Sequence, residues 1–207
     1  MTFGGVTRRS ALLLGGLLVA VAVGARIAAV RPTGVLDLDA EFSIPSFASA
    51  SVLLAAALAT RLLARRTTGS RPAVGLALLF ALMSGDELFS LHERLETASG
   101  VDWQALYAPV VLLGALAWLV HLRHWLPRSR TVAVLLVLGA AAWGGSQVLE
   151  ALEWNGDDVP VPHYYRYMVV EELGELTGSS LFLLGSLAAL AGVAPDRVEQ
   201  PASGAAI

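Results

Sequence analysis

Six apolar runs set the terms for this chain: residues 11–30, 44–64, 73–92, 105–122, 131–150 and 165–191 are each close to the ~20 residues that a helix needs to cross a bilayer. Inside hydrocarbon every backbone N–H and C=O must find a partner within its own segment, so each run is expected as a helix. Only 15% of the residues are charged, against 56% hydrophobic, which is too little polar surface for a soluble domain of 207 residues. The expected fold is therefore all-α, an integral membrane bundle of six transmembrane helices over residues 1–194, with a disordered cytoplasmic tail at 195–207.

Orientation follows from the arginines, since all 14 basic residues are Arg. With six alternating helices, ten of them flank one side, including Arg8, Arg9, Arg65, Arg66, Arg71, Arg128 and Arg130; Arg26, Arg31, Arg94 and Arg166 flank the other. The positive-inside rule puts the richer side in the cytoplasm, and with it both termini. Arginine without lysine and the Ala, Val, Leu and Gly bias suggest a GC-rich bacterium, hence a multi-pass protein of the bacterial inner membrane. Thr7-Arg8-Arg9-Ser10 before an apolar run resembles a twin-arginine export signal, but two arginines are also the ordinary cytoplasmic flank of a first span, and an uncleaved helix is expected.

The acids are distributed unlike the arginines, because nearly all fall on the outer half. Several sit within the spans, where a carboxylate costs roughly 2.5 to 3.5 kcal/mol at a helix centre and needs a compensating partner. In the third run, Asp86-Glu87-Leu88-Phe89-Ser90-Leu91-His92-Glu93, read as continuous helix, places Asp86, Ser90 and Glu93 on one stripe and Glu87 about 100 degrees around. Helical rise then sets Glu87 about 7 Å deeper than His92. In the sixth run Glu171 and Glu172 each stand one turn from Glu175, and in the fifth Trp143, Gln147 and Glu150 form a stripe towards the same outer face.

Carboxylates one turn apart require a hard divalent cation, a shared proton or a raised pKa, because like charges so close cannot all remain bare. The expected ligands are Asp86, Glu87, His92, Glu93, Glu150, Glu171, Glu172 and Glu175, holding Mn, Fe, Zn or Mg; Glu87, His92 and Glu175 are the candidates for acid–base work. The absence of cysteine excludes thiolate metal sites, iron–sulfur clusters, disulfides and cysteine nucleophiles. Nothing in the chain points to nucleic acid. Trp103, Trp118, Trp125, Trp154 and the tyrosines at 164, 165 and 167 fit aromatic belts at the membrane interface, Gly174 and Gly178 fit close helix packing, and Arg166 is a possible counter-ion for Glu171 or Glu172.

The stretch from Met83 to Leu95 resembles a motif of uncharacterised bacterial multi-pass membrane proteins, of the form Asp-Glu-x4-His-Glu, and the resemblance implies a site at this segment without implying a reaction. The acids also invite comparison with carboxylate-bridged metal centres in helical bundles, although a pair of Glu-x-x-His motifs is missing. The Glu-x-x-Glu pairs at 150/153 and 172/175 resemble the Arg-Glu-x-x-Glu motif of oxidase-linked iron permeases but lack its arginine. Three functions are consistent with this pattern. They are a metal-dependent membrane enzyme acting on a lipid-like substrate, a transporter of an inorganic cation or protons, and a non-catalytic sensor or assembly partner among membrane lipids.

Overall fold

The computed structural model describes residues 43–67, 71–153 and 160–193, all of them helical or in short connections. Its helices are α1 (Ile44–Arg66), α2 (Arg71–Phe89), α3 (Leu91–Ser99), α4 (Trp103–Trp125), α5 (Arg130–Glu153) and α6 (Tyr164–Gly192). All but α3 are long and apolar enough to cross a membrane. The expected first span at 11–30, the Arg8-Arg9 pair, Trp154 and the tail from 195 lie outside the described residues.

Local chemistry sets the helix ends. The Ser43 hydroxyl accepts from the Ser46 amide at 3.2 Å and Pro45 fills the first turn of α1, where no intrahelical donor is needed. Asp102 caps α4 through the Gln104 amide at 2.7 Å, and Gly100, at φ 67, closes α3 by donating its N–H to the Glu96 carbonyl. Arg65 and Arg66 lie in the last turn of α1 and Arg123 in that of α4, where the helix dipole favours positive charge.

The five long helices alternate in direction and close into a ring in the order α1, α2, α4, α5, α6, with α5 on α6 and α1 on α2 the most extensive packings and α4 on α5 the slightest. The core joins Leu53, Leu63, Leu76, Phe80, Val132, Leu136 and Phe182, with the Phe80 and Phe182 rings 5.0 Å apart. Small residues allow the close approach of α5 and α6. A Cβ on Gly178 would collide with the Trp143 ring and sit 2.9 Å from the Gly139 carbonyl, and one on Gly174 would collide with the Ser146 hydroxyl. Hydroxyl and indole groups then join the helices: Thr60 to Ser186 at 2.8 Å, Ser84 to the Ala50 carbonyl at 2.8 Å, and the Trp143 indole to Ser179 at 3.0 Å.

The outside of the ring is apolar. Leu58, Leu78, Leu112 and Leu113 are each more than 60% exposed, a pattern suited to hydrocarbon and not to water. Arg65, Arg66, Arg71, Arg123, Arg128 and Arg130 gather at one end of the bundle, and the acids of α2, α5 and α6 at the other. The sequence pattern expected the third helix to run unbroken from 73 to 92, and here the structure differs: α2 stops at Phe89, Ser90 takes a left-handed conformation (φ 47, ψ 51), and the chain turns into the separate helix α3.

Candidate acidic and histidine site

The break at Ser90 is what builds the site. The Ser90 amide closes the last turn of α2 on the Asp86 carbonyl at 2.7 Å, and the Asp86 carboxylate then receives the start of α3. Its Oδ1 accepts the His92 backbone N–H at 2.8 Å and its Oδ2 pairs with His92 Nδ1 at 3.0 Å. A left-handed non-glycine residue costs roughly 1–2 kcal/mol; these two bonds to a charged acceptor offset it. His92 thus folds back onto Asp86, replacing the expected arrangement in which it sat a turn and a half shallower on the same helix as Glu87.

From α4, the Tyr107 hydroxyl donates to Asp86 Oδ1 at 2.9 Å, so one carboxylate receives three donors from two helices. Trp103, one turn before Tyr107, lays its ring 5.2 Å from the imidazole and meets Tyr107 edge-on at 5.8 Å. With the carboxylate fixing Nδ1–H, the proton that His92 gains or loses is the one on Nε2. Burial of the ring opposes its charging, yet the hydrogen bond and charge of Asp86, followed by the charges of Glu93 and Glu150, outweigh it and raise the His92 pKa above its ordinary value.

The remaining acids form a second layer that touches the first. Glu150 of α5 stands within reach of the Trp103 indole and the Gln147 amide, and its charge acts on His92. Gln147 also donates to Glu175 Oε1 of α6 at 3.2 Å. Glu87, Glu150 and His92 are among the charged groups that bear on Glu175, and Glu171 is in electrostatic contact with Glu175, Glu172, Glu153 and Glu150. The Ser146 hydroxyl holds this part of α6 in place by donating to the Glu171 carbonyl at 2.9 Å.

Most expected site residues therefore meet at one end of the ring: Asp86, Glu87, His92, Glu150, Glu171, Glu172 and Glu175, all partly buried. Glu93 is exposed on α3 and acts on His92 only through its charge. Arg166 is also exposed, in the first turn of α6. Among the described residues no three His, Asp or Glu side chains converge tightly enough to hold a metal ion as they stand.

Sequence alone did not reveal Tyr107 as a partner of Asp86, nor the packing of Trp103 on the imidazole. An aromatic belt accounts for a tryptophan at a helix start, and the structure adds a contact of this one with the imidazole. The sequence offered only the one-turn spacing of Trp103 and Tyr107 at the acidic end of their helix, and the adjacency of that helix to Asp86 came from the structure.

The family model described as a domain of unknown function (DUF8692) matches residues 8–190. The chain belongs to this family. No curated protein and no solved structure matches it. The family match spans every residue of the site, and because its description carries no activity, the functional reading rests on the chemistry of the site itself.

Proposed function

We propose that this chain is a six-span protein of the bacterial inner membrane, with residues 11–30 as the first span and both termini cytoplasmic, and that its outward acidic end is a metal-dependent catalytic site. Glu87, Glu150, Glu171 and Glu175 share one divalent cation, Mn, Fe, Zn or Mg, and His92 serves beside it as general acid–base toward a lipid-like substrate. One observation carries this reading. Carboxylates from α2, α5 and α6 lie in mutual electrostatic reach at the end of a membrane bundle, next to an imidazole already oriented by Asp86 and Tyr107. Like charges gathered in a low-dielectric setting need protons or a cation between them.

In this arrangement each of the chain's residues has a distinct task. Asp86 holds the His92 ring and its tautomer, and Tyr107 fixes Asp86. Trp103 shields one side of the imidazole from water, and Gln147 positions Glu175. His92 Nε2 then gives or takes the proton. A bound cation supplies Lewis-acid polarisation of a substrate oxygen or an activated water.

The transporter reading has less behind it. The hydroxyls towards the arginine end, Thr60, Ser179 and Ser186, are buried and bonded to neighbours, which suits helix packing better than an ion path. The test is titration of Mn2+ into the full chain in nanodiscs at pH 7. One saturable site, weakened at least tenfold by Glu175→Gln, supports the reading; no binding at millimolar Mn2+ overturns it.

A further inference from the structure

An apolar crevice of about 200 Å³ runs between α2 and α4, lined by Leu78, Leu79 and Leu82 on one wall and Val110, Leu113 and Gly114 on the other. Gly75 and Gly114 mark where the two helices come closest, since a Cβ there would press on Ala117 and on the Leu79 side chain. Leu78 and Leu113 are 66% and 69% exposed, so among the described residues the crevice opens sideways onto the apolar outer surface of the bundle.

Its other end meets the site. Asp86 follows Leu82 by one turn on α2, about 6 Å along the axis, and Tyr107 precedes Val110 by one turn on α4. Both polar residues continue the stripes that form the crevice walls. Their hydrogen bond at 2.9 Å joins α2 to α4 directly above the crevice, with His92 and Trp103 immediately beyond. An apolar slot that opens to hydrocarbon and ends against a hydrogen-bonded acid–base pair has the shape of an amphiphile: a chain below and a polar group above.

We propose that this crevice seats one hydrocarbon chain of a membrane lipid, from the leaflet at the acidic end, and presents that lipid's polar head to Tyr107, Asp86 and His92. The proposal rests on the reading of the acidic end as a catalytic site and names its substrate class and route of approach. An enclosed cavity of roughly 150 Å³ takes a benzene ring, so a crevice of about 200 Å³ accommodates a stretch of a single chain. Pro109, between Tyr107 and Val110, lacks the N–H that would otherwise bond the Ala105 carbonyl, leaving an acceptor on α4 at the level of the head.

The test uses the full chain in nanodiscs containing phosphatidylethanolamine with a diazirine midway along one acyl chain, photolysed and mapped by mass spectrometry. Labelling concentrated on the 75–82 and 110–114 segments, saturable by unlabelled lipid and reduced at least fivefold by Val110→Trp and by Leu113→Trp, is the expected result. Leu112→Trp, on the exposed face away from the crevice, leaves it unchanged. Labelling spread evenly over lipid-facing positions such as Leu112 and Leu138, or cross-links between two copies of the chain, overturns the proposal. Mn2+ titration of the same samples separates the two readings: crevice labelling without Mn2+ binding supports the chain site while removing the cation, and Mn2+ binding with even labelling removes the chain site alone.

Discussion

Asp86→Ala tests whether one carboxylate holds α3 in place. Three donors converge on it: the His92 amide at 2.8 Å, the His92 ring at 3.0 Å and the Tyr107 hydroxyl at 2.9 Å. A hydrogen bond to a charged group contributes about 1.5–3 kcal/mol. Simple addition overstates the total, because the three share an acceptor and the His92 and Asp86 side chains are 27% and 18% exposed. A net loss of about 3 kcal/mol is the working figure. The other contacts holding α3 are weaker, the Trp103 ring on His92 at 5.2 Å and a long bond of 3.4 Å from the Trp103 amide to Glu96, since α3 has no buried residue and the left-handed Ser90 favours release. At 1.4 kcal/mol per tenfold, amide exchange across Leu91–Ser99 should accelerate about 100-fold, while α5 and α6 remain protected. Hydrogen exchange in nanodiscs reads this segment by segment. An acceleration below about threefold would mean that the Asp86 bonds do not hold α3, and the tautomer argument for His92 would fall with them.

Other outcomes follow from the same contacts. Tyr107→Phe removes one of the three bonds, about 1.5 kcal/mol, and should speed α3 exchange roughly tenfold without altering melting of the bundle. The raised pKa of His92 fixes the sign of a pH effect: the ionic part of the Asp86 pairing is fully present below the unfolded histidine value of about 6.5 and is lost as pH rises through the higher folded value, so α3 exchange, corrected for intrinsic rate, should increase on that upward passage. Gly178→Ala must displace both the Trp143 ring and the Gly139 carbonyl, and should destabilise the α5–α6 pair by about 1–3 kcal/mol in a detergent melt. Mn2+ affinity should increase with pH, since ligand carboxylates must release protons to bind it.

Five of the six expected helices were legible in the sequence because hydrocarbon imposes one rule on every residue of a crossing helix, and α1, α2, α4, α5 and α6, each long and apolar enough to cross a membrane, lie within a few residues of the apolar runs. Gly174 and Gly178 were legible for a similar reason, since a small-residue pair at four-residue spacing has few uses other than close packing. The break at Ser90 was not. No glycine or proline lies between Asp86 and Glu93, and the turn depends on a side chain capping the helix that follows it, which periodicity does not register. Tyr107 was hidden because a single tyrosine in an apolar helix looks interfacial until the neighbour of that helix is known. That Glu150 and Glu175 lie at similar depth was legible in the sequence; that they converge was not. The route through Gln147 and Trp103 depended on helix order, which single-sequence reasoning does not supply.

The central claim is that the acids of α2, α5 and α6 share a divalent cation. Elemental analysis by mass spectrometry of the detergent-purified chain, beside a Glu87→Gln, Glu175→Gln double variant with the same helical content and melting profile, addresses it most directly. The account predicts close to one metal ion per chain in the wild type and its loss in the variant. Metal-free wild-type protein, even after supplementation with Mn, Fe, Zn and Mg, would contradict it and leave protons as the partners of these carboxylates.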